Sequence, residues 1–143
     1  MNRREALMSG VALAGAAIVG RVQAAEMSHE HHHMAANAGL VSAAADCIQK
    51  GQVCLNHCLD LLGKGDKEMA SCAKSVNQML VICGSLQALA NQESVYLSKL
   101  AAIAKDACDA CEKECKKHAD KHEACKACGE SCVACAKECA KLS

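Results

Sequence analysis

The amino-acid sequence predicts an all-α protein, an antiparallel up-down-up-down four-helix bundle with a cysteine-lined core. Three observations support this fold class. The 143 residues contain no proline, tryptophan or phenylalanine and one tyrosine, whereas β-sandwiches and barrels need aromatic and β-branched runs bounded by turn residues. Short polar breaks divide the later part of the chain into four segments of similar length. Along those segments, 13 cysteines recur with helical spacing.

Residues 1–24 are predicted to be a twin-arginine signal peptide that is removed from the mature protein. Arg3-Arg4 precedes a mildly apolar stretch from Ala6 to Val19, and Val22-Gln23-Ala24 is a small-residue cleavage site. The apolar stretch is too short to span a membrane, so an integral membrane protein is not expected. An ordinary secretory signal is the alternative. The sequence therefore predicts export from the cytoplasm.

Residues 25–37 are predicted to form a disordered tail, because they show no hydrophobic period. The tail contains donors that could bind a transition metal weakly, and an incidental run of histidines is the alternative. These donors are His29, His31, His32, His33 and Met34.

The remaining residues, 38–143, are predicted to form the bundle, with helices over 38–62, 67–90, 95–118 and 121–141. The first break, Gly63 to Asp66, supplies a glycine stop and an aspartate N-cap. Asn91 to Ser94 supplies a second cap, and His118 to Asp120 a third polar junction. Since the connections are short and the helices similar in length, neighbouring helices are expected to run antiparallel.

The cysteines follow a heptad seam on these helices. On the fourth helix their spacing alternates between three and four residues, which places all of them within one narrow arc. The third helix repeats the pattern and continues it upstream through Ala104, Leu100 and Leu97. All the thiols are therefore predicted to face the bundle interior. The full set is Cys47, Cys54, Cys58, Cys72, Cys83, Cys108, Cys111, Cys115, Cys125, Cys128, Cys132, Cys135 and Cys139.

Several explanations of this seam compete. Cysteine can serve as a small apolar core residue. A disulfide scaffold is common in short exported chains, but 13 is an odd number and bridges between turns of one helix are strained. Cys125-x-x-Cys128 and Cys108-x-x-Cys111 resemble ferredoxin spacing, yet the full iron-sulfur run with its proline is missing. Metal binding by thiolates is the favoured explanation.

The repeated Cys-x-x-x-Cys pairs favour a particular metal. Residues i and i+4 of a helix have Cβ atoms about 5–6 Å apart, so two thiolates can converge on one ion. Zinc prefers four ligands, and tetrathiolate zinc would leave the core strongly negative. Cu(I) is soft and monovalent, and about one ion per thiolate leaves the core neutral. The sequence therefore predicts a store of many Cu(I) ions, with an iron-sulfur protein or a disulfide- or zinc-stabilised bundle as alternatives. The four pairs are Cys54/Cys58, Cys111/Cys115, Cys128/Cys132 and Cys135/Cys139.

The topology also predicts an entrance for the ions. The first and third loops share one end of such a bundle. Four donors are expected to gather there, although ordinary solvent-facing side chains at helix ends are the alternative. They are His57, Met69, His118 and His122, while Leu86, Leu97, Leu100 and Leu142 are expected to close the other end.

With its leader, its thirteen cysteines, its four Cys-x-x-x-Cys pairs, and His57 and Met69 at the mouth, the sequence resembles the exported copper storage proteins of methane-oxidising bacteria. The resemblance implies that all thirteen cysteines are Cu(I) ligands, with His57 and Met69 as further donors. It also implies a homotetramer in the periplasm or the lumen of intracytoplasmic membranes, which supplies copper to particulate methane monooxygenase. Leu61 and Lys64 stand where the family can carry more methionines.

Other classes of function are not favoured. The 16 basic and 16 acidic residues leave no basic surface typical of nucleic-acid binding. The sequence offers no nucleophile with an orienting base, so an enzyme is not expected. Leu55, Leu59 and Leu62 form an apolar stripe beside the cysteine seam, and such a stripe predicts an interface between copies of the chain. A wider contact with the core is the alternative for the stripe.

Overall fold

The computed structural model describes residues 37–142 and confirms an all-α four-helix bundle. The helices are α1 (Ala38–Gly63), α2 (Ala70–Asn91), α3 (Leu97–Lys116) and α4 (Glu123–Cys139). Helix α1 packs against α2 and α4, and α3 packs against the same two helices, so the four helices enclose one central core. The predicted signal peptide and all of the predicted tail except Asn37 lie outside the described residues.

The first break is built as predicted. Gly65 adopts a left-handed conformation with φ of 93°, which glycine tolerates better than other residues. The Asp66 side chain accepts a hydrogen bond from the Glu68 amide at 3.1 Å and so caps the next segment. That segment is a short 3₁₀ turn, Lys67–Met69, which precedes α2.

The later helices are shorter than predicted. Helix α3 begins at Leu97 instead of residue 95, since the Ser94 hydroxyl accepts from the Tyr96 amide at 3.2 Å and holds a turn before the helix. Helix α4 begins at Glu123, because His122 has extended backbone and cannot belong to the helix. Short turns replace the predicted helical residues at these ends.

The predicted cysteine seam is confirmed, because all thirteen cysteine side chains are fully buried. One position of the seam was predicted wrongly. Leu100 is only partly buried, and Ala101 occupies the inward position instead. The reason is the heptad itself: the alternation of three and four residues from Cys108 through Ala104 continues to Ala101 and then to Leu97.

The leucine stripe of α1 is mostly part of the core. Leu55 and Leu62 pack against buried residues, whereas Leu59 is 54% exposed. The prediction of an exposed stripe therefore holds only for Leu59. Leu55 and Leu62 contact the core because the inward face of α1 extends beyond the positions of its cysteines. Within the part of the chain that the structure describes, no helix is both long and apolar enough to cross a bilayer.

Two glycines in mid-helix provide a matched test of how tightly the core is packed. A Cβ at Gly51 would lie 2.7 Å from Met79 Cε and 2.9 Å from Leu80 Cδ2, whereas a Cβ at Gly84 would meet no neighbouring element within 4 Å among the described residues. We expect Gly51→Ala to lower the free energy of unfolding by about 1 kcal/mol, because overpacking costs more than helix propensity gains. Gly84→Ala should raise it by about 0.5–1 kcal/mol. Urea unfolding of the metal-free protein measures both, and stabilisation by both substitutions would contradict the packing shown at Gly51.

Candidate metal centre

The interior of the bundle is a continuous network of sulfur atoms. Thiols on different helices lie close together: Cys83 Sγ is 3.6 Å from Cys108 Sγ, and Cys72 Sγ is 3.7 Å from Cys115 Sγ. Helix α1 joins α4 through Cys47, whose Sγ lies 3.7 Å from Cys132 Sγ. Every helix therefore contributes thiols to one shared interior.

The Cys-x-x-x-Cys pairs lie along this network. The Sγ atoms of Cys54 and Cys58 are 4.0 Å apart, and those of Cys111 and Cys115 are also 4.0 Å apart. Of the other two pairs, Cys128 and Cys132 belong to one thiol group, and Cys135 and Cys139 are both fully buried, one turn apart on α4. Successive turns of one helix thus present thiols that can hold the same ion.

The thiols form four groups in which all sulfur atoms lie within 4.8 Å of one another. The first group takes one cysteine from each helix. Cys54 and Cys128 each belong to two groups, so neighbouring groups share ligands. Every cysteine except Cys139 belongs to at least one group. The groups are Cys47/Cys83/Cys108/Cys135, Cys54/Cys58/Cys72/Cys125, Cys54/Cys115/Cys128 and Cys111/Cys128/Cys132.

These distances suit soft metal ions. Two sulfurs bound to one ion at about 2.3 Å each are at most about 4.6 Å apart, so the observed contacts need little movement to accept an ion. A four-thiol group could also hold a tetrahedral ion. Distance alone therefore does not distinguish Cu(I) from zinc, and charge has to decide between them.

Among residues 37–142, no positively charged side chain is buried in the core to balance thiolates. Apart from the cysteines, Ser131 is the only polar or charged residue that is buried among the described residues. Its hydroxyl donates to the Cys128 carbonyl oxygen at 2.8 Å. Hydrogen bonds with Cys115 and other thiols, together with burial, raise the pKa of Cys54. Contacts with Cys108 and other thiols, together with burial, raise the pKa of Cys132. Burial thus favours the neutral form of both thiols in the metal-free protein.

His57, His118 and His122, three of the four predicted donors of the mouth, lie together at the end where the loops after α1 and α3 meet. His57 Nε2 lies 3.0 Å from His122 Nδ1, and the ring centroids of His118 and His122 are 6.4 Å apart. Met69 is fully buried in the 3₁₀ turn that leads into α2. An open cavity of about 370 Å³ lies at this end, lined by Asp66, Glu68, Ser71, Glu114, Lys117, His118, Lys121 and His122.

Leucines close the core at the opposite end of the bundle. Leu86 and Leu97 are buried there, and Leu100 and Leu142 pack partly against the core. The Asn37 side chain donates to the Ala90 carbonyl oxygen at 3.4 Å across this end. The core is thus bordered by imidazoles at one end and by leucines at the other.

Sequence reasoning missed one soft donor. Met79 lies seven residues after Cys72 and four before Cys83, on the cysteine seam of α2, but it was not among the predicted donors. Its Sδ lies 3.3 Å from Cys47 Sγ, and its side chain is fully buried. Its seam position gave a signal, because a thioether at such a position faces the thiols of the other helices.

Comparisons with known proteins agree with this site. The family model described as copper storage protein matches residues 33–143. An uncharacterized cysteine-rich protein of Bacillus subtilis (strain 168), YhjQ, is 26% identical over 103 residues, which cover 72% of this chain and 92% of the relative.

Two solved structures are similar to the bundle. Apo copper storage protein 3 from Bacillus subtilis has a TM-score of 0.65 and 26% identity, and the match covers 74% of this chain and 97% of that one. A Cu(I)-bound copper storage protein, BsCsp3, has a TM-score of 0.66 and 25% identity, with 74% and 96% covered.

Proposed function

The chain belongs to the copper storage protein family, and on that premise we propose that it stores many Cu(I) ions inside the bundle core. The observation that carries this proposal is the shared network of thirteen buried thiols. A protein that needed one structural ion would require one closed set of ligands. Here groups overlap at Cys54 and Cys128, which suits many ions that share ligands.

The charge of the core selects the ion. A divalent ion on four thiolates leaves two excess negative charges, and burying uncompensated charge is costly. One Cu(I) per thiolate leaves none. Because the described interior holds no Lys, Arg or His as a buried residue, neutrality has to come from the bound ions themselves. Cu(I) also matches the softness of thiolate and thioether ligands.

We assign roles to the site residues on this basis. The thirteen cysteines hold the stored ions, and His57 and Met69 act as donors at the mouth. The contact between His57 and His122 supports His122 as a further donor at the entrance. Ions then move inward by exchange between neighbouring sulfurs, such as Cys54 and Cys125 at 3.8 Å or Cys111 and Cys128 at 3.9 Å.

The role is storage and not catalysis. Copper storage family membership and the buried thiol network support a binding function. In the metal-free protein, neutral thiols pack as small apolar groups, so the empty bundle stays folded. A structural zinc site differs in this respect, because removal of its metal unfolds the protein.

Location, assembly and delivery are parts of the same proposal. The twin-arginine pattern at Arg3-Arg4 supports export to the periplasm or to the lumen of intracytoplasmic membranes. The resemblance to storage proteins of methane-oxidising bacteria supports a homotetramer that supplies particulate methane monooxygenase. The exposed Leu59 side chain, at 54% exposure, supports contact between copies.

An anaerobic Cu(I) titration of the fully reduced protein tests the storage function. We expect binding to saturate at about one ion per thiolate, near thirteen ions, because that stoichiometry leaves the core neutral. Cys83→Ala should lower the capacity by about one ion, whereas Val76→Ala, at another fully buried position of α2, should leave it unchanged. Saturation at about three or four ions would indicate tetrathiolate sites, and iron with acid-labile sulfide in the isolated protein would favour a cluster protein.

The mouth can be tested separately by the rate of loading. We expect His57→Ala combined with Met69→Leu to slow Cu(I) uptake about tenfold, which corresponds to about 1.4 kcal/mol on the entry step. The capacity should hardly change, since most sulfurs lie deeper in the core. Stopped-flow uptake from a weak Cu(I) chelator gives the rate, with Asn37→Ala at the opposite end as the control. Equal rates in the double variant and the wild type would contradict the entry of Cu(I) at this end of the bundle.

A further inference from the structure

Met79 brings a second kind of sulfur into the middle of the core. Its side chain is fully buried on α2, and its Sδ lies 3.3 Å from the Sγ of Cys47 on α1. This contact is shorter than that between the Cys83 and Cys108 sulfurs, at 3.6 Å. The thioether therefore lies inside the thiol network and not merely beside it.

The backbone of α1 makes room for this side chain. Gly51 is one turn after Cys47 on the same helix, and a Cβ at Gly51 would lie 2.7 Å from Met79 Cε. Any other residue at this point would push the Met79 methyl group away. A leucine at position 79 could fill this space in the core, as Leu86 does two turns further along α2. Gly51 also leaves room for Leu80, whose Cδ2 would lie 2.9 Å from the same Cβ, but packing does not require a sulfur atom at position 79.

The chemistry of a thioether suits the charge of the core. Methionine sulfur is a soft donor that binds Cu(I), and it carries no charge in either the free or the bound state. One thiolate, one Cu(I) and one thioether form a neutral unit. Cys47 also lies 3.7 Å from Cys132 and shares a thiol group with Cys83, Cys108 and Cys135. An ion on Cys47 and Met79 is thus continuous with the stored ions around it.

We propose that Met79 is a Cu(I) ligand in the interior of the bundle, and that its thioether and the Cys47 thiolate share one ion. This inference rests on the proposed storage of Cu(I). The Met79 site is distinct from the mouth, because Met79 stands ten residues beyond Met69, nearly three turns deeper along the chain. The site adds coordination in the core without adding negative charge.

Selenomethionine labelling tests the contact directly. The labelled full-length protein is loaded anaerobically with Cu(I) alone, and selenium-edge X-ray absorption then reports copper bound to selenium. Two variants isolate position 79: Met69→Leu retains Met79, and Met69→Leu with Met79→Leu removes it. We expect a copper neighbour of selenium at bonding distance in the first variant and its loss or marked reduction in the second. Equal selenium–copper signals in the two variants would overturn the proposal.

Two further measurements keep the test decisive. Leucine nearly conserves the volume of methionine, so circular dichroism of the metal-free variants should match the wild type; if the double variant fails to fold, Met79→Leu against wild type gives the same comparison. Competition with a Cu(I) chelator should remove about one ion more readily from Met79→Leu, while Met69→Leu retains that ion. Wild-type saturation at three or four ions would overturn the proposed function, and the selenium signal would still decide whether Met79 binds copper. Full capacity with no signal from position 79 would overturn only the Met79 site.

Discussion

One constraint governs the proposed copper store, which is that the core must be electrically neutral whether empty or full. Thirteen fully buried thiols face one another, and no buried cationic side chain accompanies them in the described residues. Without metal, burial favours the protonated form of a thiol, and protonated thiols pack as small apolar groups. With a monovalent ion on each thiolate, the core is neutral again. The same helices can therefore enclose both states, which explains why the core of residues 37–142 needs no buried cationic side chain beside its cysteines.

Small side chains, and a glycine at position 51, let the helices enclose this core. Cysteine and alanine fill most inward positions, and the largest fully buried side chains on α2 are Met79 and Leu86, with Met69 in the preceding turn. Gly51 leaves space for the tip of Met79. The two ends of the thiol network differ in the side chains that border them. Imidazoles contact one another at the end of His57 and His122, and leucines fill the end of Leu86 and Leu97.

The helical seam could be predicted from sequence because a period of three and four residues is a direct property of the α-helix. This period predicted the inward position of every cysteine. Leu100 was wrongly predicted in place of Ala101, because the alternation of three and four residues was not continued upstream of Ala104. Contacts between side chains of different helices could not be predicted in this way. The shared thiol groups, the 3.0 Å approach of His57 to His122 and the Met79–Cys47 contact depend on the relative height and rotation of neighbouring helices. No spacing within a single helix contains that information.

The neutrality of the loaded core is tested most directly by counting the protons that copper displaces. An anaerobic pH-stat titration of the reduced protein with a Cu(I)–acetonitrile complex gives both the number of ions bound and the protons released into solution. The constraint predicts about one proton released per ion over the whole titration, up to about thirteen ions, one for each thiolate. A titration that stops at about three or four ions, with two or more protons lost per ion, would contradict it.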